Sequence, residues 1–533
     1  MKQKTAILLF AFALVLANYL VFGEIGSFST VHYDDDTYVF ANPHILHGLS
    51  IKGVTWAFTT TEAGFWHPLT WLSFLTDYTL YGLNPGGYHG TNLILHILNT
   101  LLIFFFFLRY THEVWPSAVS AFLFALHPLH VEPVAWIAAR KDVLSTFFWF
   151  SVMLTYGIYA EHPSFKCYVL VLFLYIAGLM AKPMLVSLPL CLLLIDIWPL
   201  KRCSLSKEDL RFKWQSLLME KIPLFLFALM ASLLVLYTEG KAEALATFAV
   251  YPLATRIGHM LVSYIVYLTK TFFPQGLAIF YPHPGAPPFL LAAASGTALF
   301  FLSYFAWKCV RTKPYITVGW FWYLISLFPV SGIIQLGNQA MADRYSYVPL
   351  LGIFFSLTWA GFSIFRKRPK ETATLALSLI ILFGLIAHRQ VSYFRDGESL
   401  FRHALTVTTG NYLAHNNLGA ALARKGNYEE ALSHYQEALK IRPSYADALY
   451  NMGEAQAALG KPKEAERYYR LALTVKPNFA EAHNNLGILL IRQGKKEEAY
   501  NHFLAALKAK PHFLLARRNL ELLRKELVIS PGP

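Results

Sequence analysis

The sequence predicts an all-α protein in which a polytopic membrane helix bundle of about eleven spans, residues 1–391, precedes an α-solenoid, residues 392–533. The first observation is composition: 55% of the residues are hydrophobic, 16% are aromatic and the mean hydropathy is +0.40. A soluble protein of 533 residues could not bury so much apolar surface. The second observation is that the last third is polar and repeats with a fixed period.

The membrane spans follow from apolar segments of about 20 residues. Lys2 and Lys4 precede the first segment, so the positive-inside rule places the N-terminus in the cytoplasm. The segments lie at 5–21, 90–108, 116–127, 143–160, 167–181, 183–199, 222–238, 288–307, 316–333, 347–365 and 372–388. Eleven crossings place the C-terminus outside.

The net charge of +14 does not predict a nucleic-acid partner, because the basic residues are concentrated in connectors between spans. Three such connectors fall on the cytoplasmic side. They contain Lys201, Arg202, Lys207, Arg211, Lys213 and Lys221; Lys308, Arg311 and Lys313; and Arg366, Lys367, Arg368 and Lys370. Residues 257–273 are also apolar, but a crossing there would put the last two connectors outside. We therefore expect an interfacial or re-entrant segment.

The last third repeats every 34 residues. Leu418, Gly419, Ala431, Tyr435, Ala438 and Pro443 recur as Met452, Gly453, Ala465, Tyr469, Ala472 and Pro477, then as Leu486, Gly487, Ala499, Phe503, Ala506 and Pro511. This pattern resembles the tetratricopeptide repeat. The register predicts that Glu398–Val407 is the second helix of a truncated repeat and that 513–527 is a capping helix.

Asparagine recurs at one position of each first helix, as Asn417, Asn451 and Asn485. These side chains could form a ladder that holds an extended peptide by its backbone. The alternative is that asparagine is simply common at this position.

Polar residues in the outer connectors are candidates for function, because ionisable groups near lipid are costly. A carboxylate can accept the proton of a hydroxyl group, and cationic side chains can hold a phosphate as it leaves. Together these groups suit transfer of a sugar from a polyprenyl phosphate. The residues are Asp34, Asp35 and Asp36; His127, His130, Glu132, Arg140, Lys141 and Asp142; Lys182; Tyr281 and His283; and Gln335, Asn338, Asp343, Arg344 and Tyr345. A metal site in the segment His127–Glu132 is a weaker alternative, because the ligand spacing is irregular around two prolines.

Five motifs carry a family resemblance. They read YDDDTYVFANP, WHPLTWLS, YHGTNLILHILN, ALHPLHVEPVAWIAARKDVLS and ADRYSYVPLLG, and the repeats follow them. In this order they resemble the transmembrane and tetratricopeptide-repeat-containing O-mannosyltransferase family, and we expect a bacterial-type member. The resemblance implies a GT-C glycosyltransferase bundle, a dolichyl or undecaprenyl phosphate sugar as donor and a Ser or Thr hydroxyl as acceptor.

The resemblance also assigns roles to residues. It implies that Asp34 and Asp35 form the acidic pair, with Asp35 slightly favoured as general base, whereas Asp36 is an extra acid. Arg140 would bind the carrier phosphate, and Arg344 could share that role. The complete predicted set is Asp34 and Asp35 as catalytic residues; Arg140, Arg344, Lys141, His127 and His130 as donor phosphate ligands; Glu132, Asp36 and Lys182 in support; and Asn417, Asn451 and Asn485 for peptide. His67 stands where the family often has arginine.

Structural roles remain as alternatives for several of these residues. His127 and His130 could brace their loop through backbone carbonyls, and Arg140 could form a structural ion pair with Asp142. The side chain of Arg344 could extend to the membrane–water interface. His89, Asn92 and His96 share one face of the second span and suit interhelical hydrogen bonds.

The favoured function is an integral membrane glycosyltransferase that moves mannose or a similar sugar to a protein acceptor on the outer face. The alternatives are a membrane-anchored repeat scaffold and, more weakly, a flippase for the carrier lipid. The expected partners are the lipid-linked sugar, a protein acceptor or other partner on the repeats, and membrane lipids. No cofactor is predicted with certainty, although a divalent metal is possible. Four cysteines placed at cytoplasmic ends or within a span suit a bacterial inner membrane with periplasmic repeats; an endoplasmic reticulum membrane with luminal repeats has the same topology.

Overall fold

The computed structural model describes residues 2–204, 207–241, 251–335 and 337–529. The chain divides into two compact units, Met1–Leu400 and Phe401–Pro533. This division lies nine residues beyond the boundary that the sequence predicts. It falls within one helix, Gly397–Val407, which contains the predicted helix of the truncated repeat.

The first unit is built from helices. They are α1 Lys2–Phe22, α2 Ile51–Thr59, α3 Pro68–Tyr81, α4 Pro85–Thr111, α5 Val114–Leu126, α6 Val131–Ala135, α7 Arg140–Glu161, α8 Phe165–Ala181, α9 Leu188–Ile197, α10 Lys207–Lys241, α11 Leu253–Phe272, α12 Phe289–Lys308, α13 Pro314–Leu327, α14 Leu350–Ile364 and α15 Pro369–Ser392, with α16 Gly397–Val407 at the division. Short 3₁₀ turns precede or extend several of them, and Asp36–Phe40 forms a π turn. Two short strands, β1 Tyr281–Pro282 and β2 Gln339–Met341, pair antiparallel.

Every predicted span falls largely on helix. Among the residues that the structure describes, six helical segments are long and apolar enough to cross a membrane: 3–27, 85–111, 137–161, 213–238, 289–308 and 369–392. Helix α5 with the turn and helix after it, bent by 57°, would be a seventh span. The four remaining predicted spans lie on shorter apolar helical segments, 165–181, 183–197, 314–330 and 350–364. The chain is therefore a multi-pass membrane protein, and eleven crossings remain the predicted count.

The segment predicted to be interfacial or re-entrant is one continuous helix, α11. Its buried face includes polar side chains, among them Arg256, His259 and Ser263, spaced three or four residues apart. A continuous helix does not form the turn of a re-entrant loop. The interfacial alternative fits better, because such a helix is amphipathic.

Two polar layers lie at opposite ends of α7. Asp142 is near its start and Tyr156 lies fourteen residues later, which separates them by about 21 Å along the helix. Tyr156 hydrogen-bonds to Asp196 at 2.8 Å, and Lys221 binds the same carboxylate at 2.7 Å. Arg202 and Glu220 complete this second network at 2.9 Å.

This network corrects one detail of the predicted basic connector. Helix α10 begins at Lys207, so residues 207–221 are helical rather than a loop. Lys221 is fully buried and paired with Asp196. It cannot contribute to an exposed basic surface, because its charge is compensated inside the protein.

The polar face of α4 makes the predicted interhelical hydrogen bonds. Asn92 donates to the carbonyl of Trp136 at 2.9 Å. One nitrogen of His96 hydrogen-bonds to Tyr347 and the other to the carbonyl of Ala125 at 2.9 Å. These contacts confirm a packing role for Asn92 and His96.

The second unit contains three helical hairpins and a final helix. They are α17 Tyr412–Arg424 with α18 Tyr428–Ile441, α19 Ala446–Ala458 with α20 Pro462–Val475, α21 Ala480–Arg492 with α22 Lys496–Ala509, and α23 Leu514–Ile529. Corresponding helices begin 34 residues apart, at 412, 446 and 480 and at 428, 462 and 496. The predicted tetratricopeptide-repeat solenoid is confirmed, and helix α23 lies where the capping helix is predicted.

Each hairpin closes where glycine meets an aromatic ring. A Cβ atom added at Gly419, Gly453 or Gly487 would lie 2.5–2.7 Å from the ring of the aromatic residue in the second helix. The ring itself is buried against the repeat core, as with Tyr469. Glycine at this position is therefore a requirement of close helix approach.

The asparagines form a ladder between repeats. Asn451 donates to Asn416 at 2.9 Å, and Asn485 donates to the Tyr450 hydroxyl at 3.0 Å. Asn519 in the last helix donates to Asn484 at 2.9 Å. Each donor thus reaches a residue 35 positions earlier, so Asn451 and Asn485 act as links between neighbouring first helices. Asn417 accepts a hydrogen bond from Asn416 at 3.2 Å.

We predict that Gly453→Ala loosens the second hairpin. Overpacking of this kind costs about 1–3 kcal/mol, which exceeds the gain of about 1 kcal/mol from replacing a helical glycine. Hydrogen exchange in the intact protein should become faster in residues 446–475.

Adding Tyr469→Leu supplies the matched control, because it removes the ring that the new methyl group meets. Exchange in the double variant should be slower than the sum of the two single effects predicts. Strict additivity would contradict the steric explanation.

Candidate active site

The three consecutive aspartates occupy three different environments. Asp35 is 1% exposed, and its carboxylate accepts hydrogen bonds from the backbone amides of Val31 at 3.1 Å and Ala138 at 3.0 Å. Burial raises the pKa of Asp35 to about 7, although the two amide bonds oppose this shift. Asp36 pairs with Nδ1 of His32 at 2.9 Å. Asp35 therefore ties the connector that follows α1 to the start of α7.

Asp34 is only partly buried and lies beside Lys141, whose ammonium group interacts electrostatically with it. The backbone carbonyl of Asp34 accepts the amide of Tyr38 at 2.9 Å. Lys141 donates to the Tyr38 hydroxyl at 2.8 Å and lies 4.4 Å from the centre of its ring. The half-buried carboxylate and a cation are thus held close together.

Two further cations come from distant parts of the chain. Lys182, in the turn after α8, pairs with Asp142 at 2.5 Å. Arg344 forms an ion pair with Glu132, and its backbone amide donates to the same carboxylate at 2.9 Å. Burial lowers the pKa of Lys182, as do the positive charges of Lys141 and Arg344, while Asp142 opposes this shift. The three cations therefore form one electrostatic cluster.

A small cavity adjoins this cluster. Its lining residues are Asp142, Ser145, Thr146, Trp149, Met184, Leu185, Arg344, Tyr347 and Val348. Arg344 also lies over the Trp136 ring, with the guanidinium carbon 5.2 Å from its centre. Cations, carboxylates and aromatic faces are thus available in one region.

A second carboxylate site lies next to Arg344. Tyr281 donates its hydroxyl to Asp343 at 2.9 Å, and Lys270 donates to Tyr281 at 3.2 Å. Burial raises the pKa of Asp343 to about 7; Lys270 opposes that shift and Glu132 adds to it. The sequence grouped Asp343 and Tyr281 with the outer residues but gave them no role.

Arg140 does not join the cation cluster. Its guanidinium is fully buried and donates to Asp77 at 2.7 Å, to Ser73 at 2.6 Å and to the carbonyl of Tyr88 at 2.8 Å. Its Nε donates to Asn92. The position contradicts a role as phosphate ligand, because protein groups already take up its donors. An ion pair was the alternative, although the partner is Asp77 and not Asp142.

His127 and His130 also lie inside the protein. Both are fully buried, and each hydrogen-bonds to a backbone carbonyl, that of Thr271 at 2.9 Å and that of Phe124 at 2.7 Å respectively. They brace the turn between α5 and α6. Their assignment as phosphate ligands is therefore wrong for this structure, because neither ring reaches the surface.

His67 also belongs to the packing around the site. It is 2% exposed and stacks on Trp71 with ring centres 5.0 Å apart. Burial, with smaller contributions from Lys141 and Lys182, lowers the pKa of His67 to about 3. The ring is therefore neutral, unlike the arginine that the family resemblance would lead one to expect.

Sequence reasoning missed Asp77 as the partner of Arg140 and Tyr38 as that of Lys141. Asp77 could have been found, because it is a lone acid within the otherwise apolar helix α3. Tyr38 gives no comparable signal. Within the parts of the chain that the structure describes, no group of three or more His, Cys, Asp and Glu residues is placed to hold a metal ion.

Family models match the repeat region. A tetratricopeptide repeat model matches residues 411–478, and a model described as Est1 DNA/RNA binding domain matches residues 465–526. Among solved structures, the first tetratricopeptide-repeat domain of Spaghetti (RPAP3) bound to an HSP90 peptide is 23% identical, with a TM-score of 0.22; the match covers 22% of this chain and 96% of that one.

Curated relatives match most of the chain. Protein O-mannosyl-transferase F38B6.6 of Caenorhabditis elegans is 26% identical over 71% of this chain and 54% of its own length. Tmtc1 of Drosophila melanogaster is 25% identical over 78% and 60%, and TMTC1 of Homo sapiens is 26% identical over 81% and 55%. The chain spans about half the length of these relatives.

These matches agree with the motif order, the apolar helices and the repeats that the sequence carries. Over most of its length, this chain is similar to protein O-mannosyl-transferases of the transmembrane and tetratricopeptide-repeat-containing family.

Proposed function

We propose that this protein is a membrane glycosyltransferase that moves mannose or a similar sugar from a polyprenyl phosphate to a Ser or Thr hydroxyl of a protein. The reaction takes place on the outer face of the membrane, at the end of α7 that carries Lys141 and Asp142. The bundle is of the GT-C type, with residues 1–391 as the transferase domain and 392–533 as the repeat domain. The relatives' printed names support the sugar and the protein acceptor.

The observation that carries this proposal is a cluster of three cations with a partly buried carboxylate at its edge. The charge of Asp34 acts on Lys141, and Lys141 in turn interacts electrostatically with Lys182 and Arg344. These residues come from separate connectors, so only the fold brings them together. A carboxylate beside a cation cluster suits a reaction in which a hydroxyl loses a proton while a phosphate gains charge.

In the proposed reaction Asp34 accepts the proton of the acceptor hydroxyl. The hydroxyl oxygen forms a bond to the anomeric carbon as the bond from that carbon to the phosphate oxygen breaks. The polyprenyl phosphate leaves with the electron pair, and Lys141, Lys182 and Arg344 stabilise its added negative charge. Attack from the side opposite the phosphate inverts the anomeric centre, as the family resemblance implies.

Asp35 acts in this scheme as a positioning residue. Its two amide hydrogen bonds hold the loop that presents Asp34, and its carboxylate is too buried to reach a hydroxyl on an acceptor protein. Asp36 helps to hold the loop through its hydrogen bond with His32. Glu132 and Asp142 keep Arg344 and Lys182 in place until the donor phosphate competes for them.

The repeat array recruits the protein acceptor or a partner. Asn417, Asn451 and Asn485 lie on the first helices of successive repeats, where a bound peptide backbone could add to the ladder. The protein lies in a bacterial inner membrane with the repeats in the periplasm; a eukaryotic origin would place the repeats in the lumen of the endoplasmic reticulum.

The proposed general base predicts a difference between neighbouring aspartates. Asp34→Asn should lower sugar transfer by about 10²–10⁴-fold with the protein still folded, because loss of general base catalysis has that size. Asp35→Asn should instead loosen the loop, since the amide group of asparagine directs a donor at a backbone amide that needs an acceptor. Membranes given radiolabelled polyprenyl phosphate mannose report transfer, and hydrogen exchange reports loop opening near Val31.

Full transfer by Asp34→Asn would remove Asp34 from the mechanism. No transfer from any polyprenyl phosphate sugar by the unaltered protein would favour a membrane-anchored scaffold instead. Asp36→Asn is the matched control, because asparagine keeps an oxygen that can accept the hydrogen bond from His32; its transfer rate should fall far less than that of Asp34→Asn.

The proposed phosphate site predicts a specific role for Lys182. Lys182→Met alone leaves Asp142 unpaired in a buried place, so the test uses Lys182→Met with Asp142→Asn. This pair should lower kcat/KM for the donor by about 10–100-fold, which corresponds to losing one charge-assisted hydrogen bond. Asp142→Asn alone keeps the cation and should retain most of the activity. Equal activity of both variants would contradict a phosphate contact by Lys182.

The proposed orientation predicts which cysteines a membrane-impermeant maleimide can reach. Ser433→Cys introduces an exposed thiol in the repeats and should be labelled from outside in the periplasm or lumen. Lys367→Cys introduces one in the third basic connector and should be labelled only after the membrane is permeabilised. The unaltered protein gives the background from its four native cysteines. Labelling in the reverse order would place the repeats in the cytoplasm.

A further inference from the structure

Two histidine pairs lie at equivalent places in the repeat array. His415 and His434 lie on α17 and α18, and His483 and His502 lie on α21 and α22. The two pairs are separated by 68 residues, which is two repeats of 34. All four side chains are partly exposed, so ions in solution can reach them.

The ring nitrogens of each pair face one another. The two Nδ1 atoms are 3.1 Å apart in the first pair and 2.8 Å apart in the second. Imidazole nitrogens bind ions such as Zn²⁺ at about 2.0–2.1 Å, so two nitrogens bound to one ion lie roughly 3 Å apart. The observed spacing is therefore close to that of two neighbouring metal ligands.

The second pair also has an outer contact typical of metal ligands. Nε2 of His483 donates to the carbonyl of Pro477 at 2.9 Å. A neutral imidazole that donates from Nε2 keeps a lone pair on Nδ1, which is the atom that faces His502. Metal-binding histidines commonly use the other ring nitrogen in this way, because the contact fixes both the tautomer and the ring orientation.

The middle repeat shows that packing alone does not require these histidines. At the same two positions it has Leu449 and Tyr468, which belong to one apolar cluster. An apolar pair can thus fill the space between the first and second helices. In the first and third repeats, the histidines replace that apolar contact with two ring nitrogens that can bind a metal ion.

We propose that each histidine pair binds one divalent late transition metal ion, of the class of Cu²⁺ or Zn²⁺, through the two Nδ1 atoms. Imidazole suits these ions, and water completes the coordination. Within the part of the chain that the structure describes, no third His, Cys, Asp or Glu side chain is placed to join either pair. Each bound ion links the two helices of its own hairpin, one ion in the first hairpin and one in the third.

Copper binding to the full-length protein tests this proposal directly. The protein is purified in detergent without a polyhistidine tag and titrated with Cu²⁺, and electron paramagnetic resonance counts the nitrogens on each ion. We expect two equivalents of Cu²⁺, each bound by two imidazoles. His483→Leu with His502→Tyr repeats the pair already found in the middle repeat, so it should fold and bind one equivalent fewer. His415→Leu with His434→Tyr should likewise bind one equivalent of Cu²⁺ fewer, because it removes the first histidine pair.

Binding of the same amount of copper by the variant with all four substitutions would overturn the proposal. A second measurement uses only the unaltered protein, so it does not depend on folding of the variants. Zn²⁺ at about ten times its Kd should slow hydrogen exchange about tenfold in helices that open locally. The slowing should appear in 412–441 and 480–509 and not in 446–475. Equal slowing in all three hairpins, or none, would also overturn the proposal.

Discussion

The candidate site depends on one carboxylate that contacts two backbone amides. Asp35 joins Val31, in the connector that follows α1, to Ala138 before α7; Ala138 lies 103 residues beyond Asp35 in the chain. This contact fixes the side chains on both sides of it, Asp34 in the connector and Lys141 at the start of α7. Its burial is costly, as the raised pKa of Asp35 indicates, and two amide donors compensate part of that cost. Without it, the hydrogen bond from Lys141 to Tyr38 would be left to hold the connector near the cations.

The cations illustrate a second constraint, which is that several positive charges cannot remain close together without partners. Lys182 and Arg344 each pair with a carboxylate, Asp142 and Glu132 respectively. Such pairs cost desolvation energy and give little net stability. Their value here is orientation, because each cation is held in position and can exchange one anion for another. A phosphate that enters the cluster would meet donors whose positions are already set.

The sequence predicted those parts of the molecule that follow from periodicity. Hydropathy located the spans, and the 34-residue period located the repeat helices, because both patterns are local in the chain. Contacts between distant residues were much harder to predict. The sequence predicts that Arg140 binds the donor phosphate, whereas in the structure Arg140 is buried and paired with Asp77. This pairing could not be predicted, because nothing in the sequence around position 77 indicates which helix its side chain faces.

The three consecutive aspartates are a second example of side chains whose contacts the local sequence does not predict. Sequence reasoning favoured Asp35 as the base by only a slight margin. The margin is slight because nothing in the local sequence distinguishes three consecutive aspartates. The turn that begins at Asp36 directs them differently: Asp35 lies inside, and Asp34 remains partly exposed. The asparagines were found by their period of 34, but their hydrogen bonds join residues 35 apart. That register depends on how neighbouring helices pack.

The two charged networks on α7 differ in a way that bears on function. Around Tyr156 the buried residues Asp196 and Lys221 bind one another and the Tyr156 hydroxyl, with Arg202 and Glu220 at the edge. Such a network joins α7, α9 and α10 and leaves little capacity for a ligand. At the other end of the helix, Asp34 and Lys141 remain partly exposed, and Lys141 donates to a neutral hydroxyl, that of Tyr38, and not to a carboxylate. Charged groups that stay accessible despite the desolvation cost around them are better explained by binding than by stability. For this reason the end of α7 near Asp142, and not the end near Tyr156, is where substrate chemistry is expected.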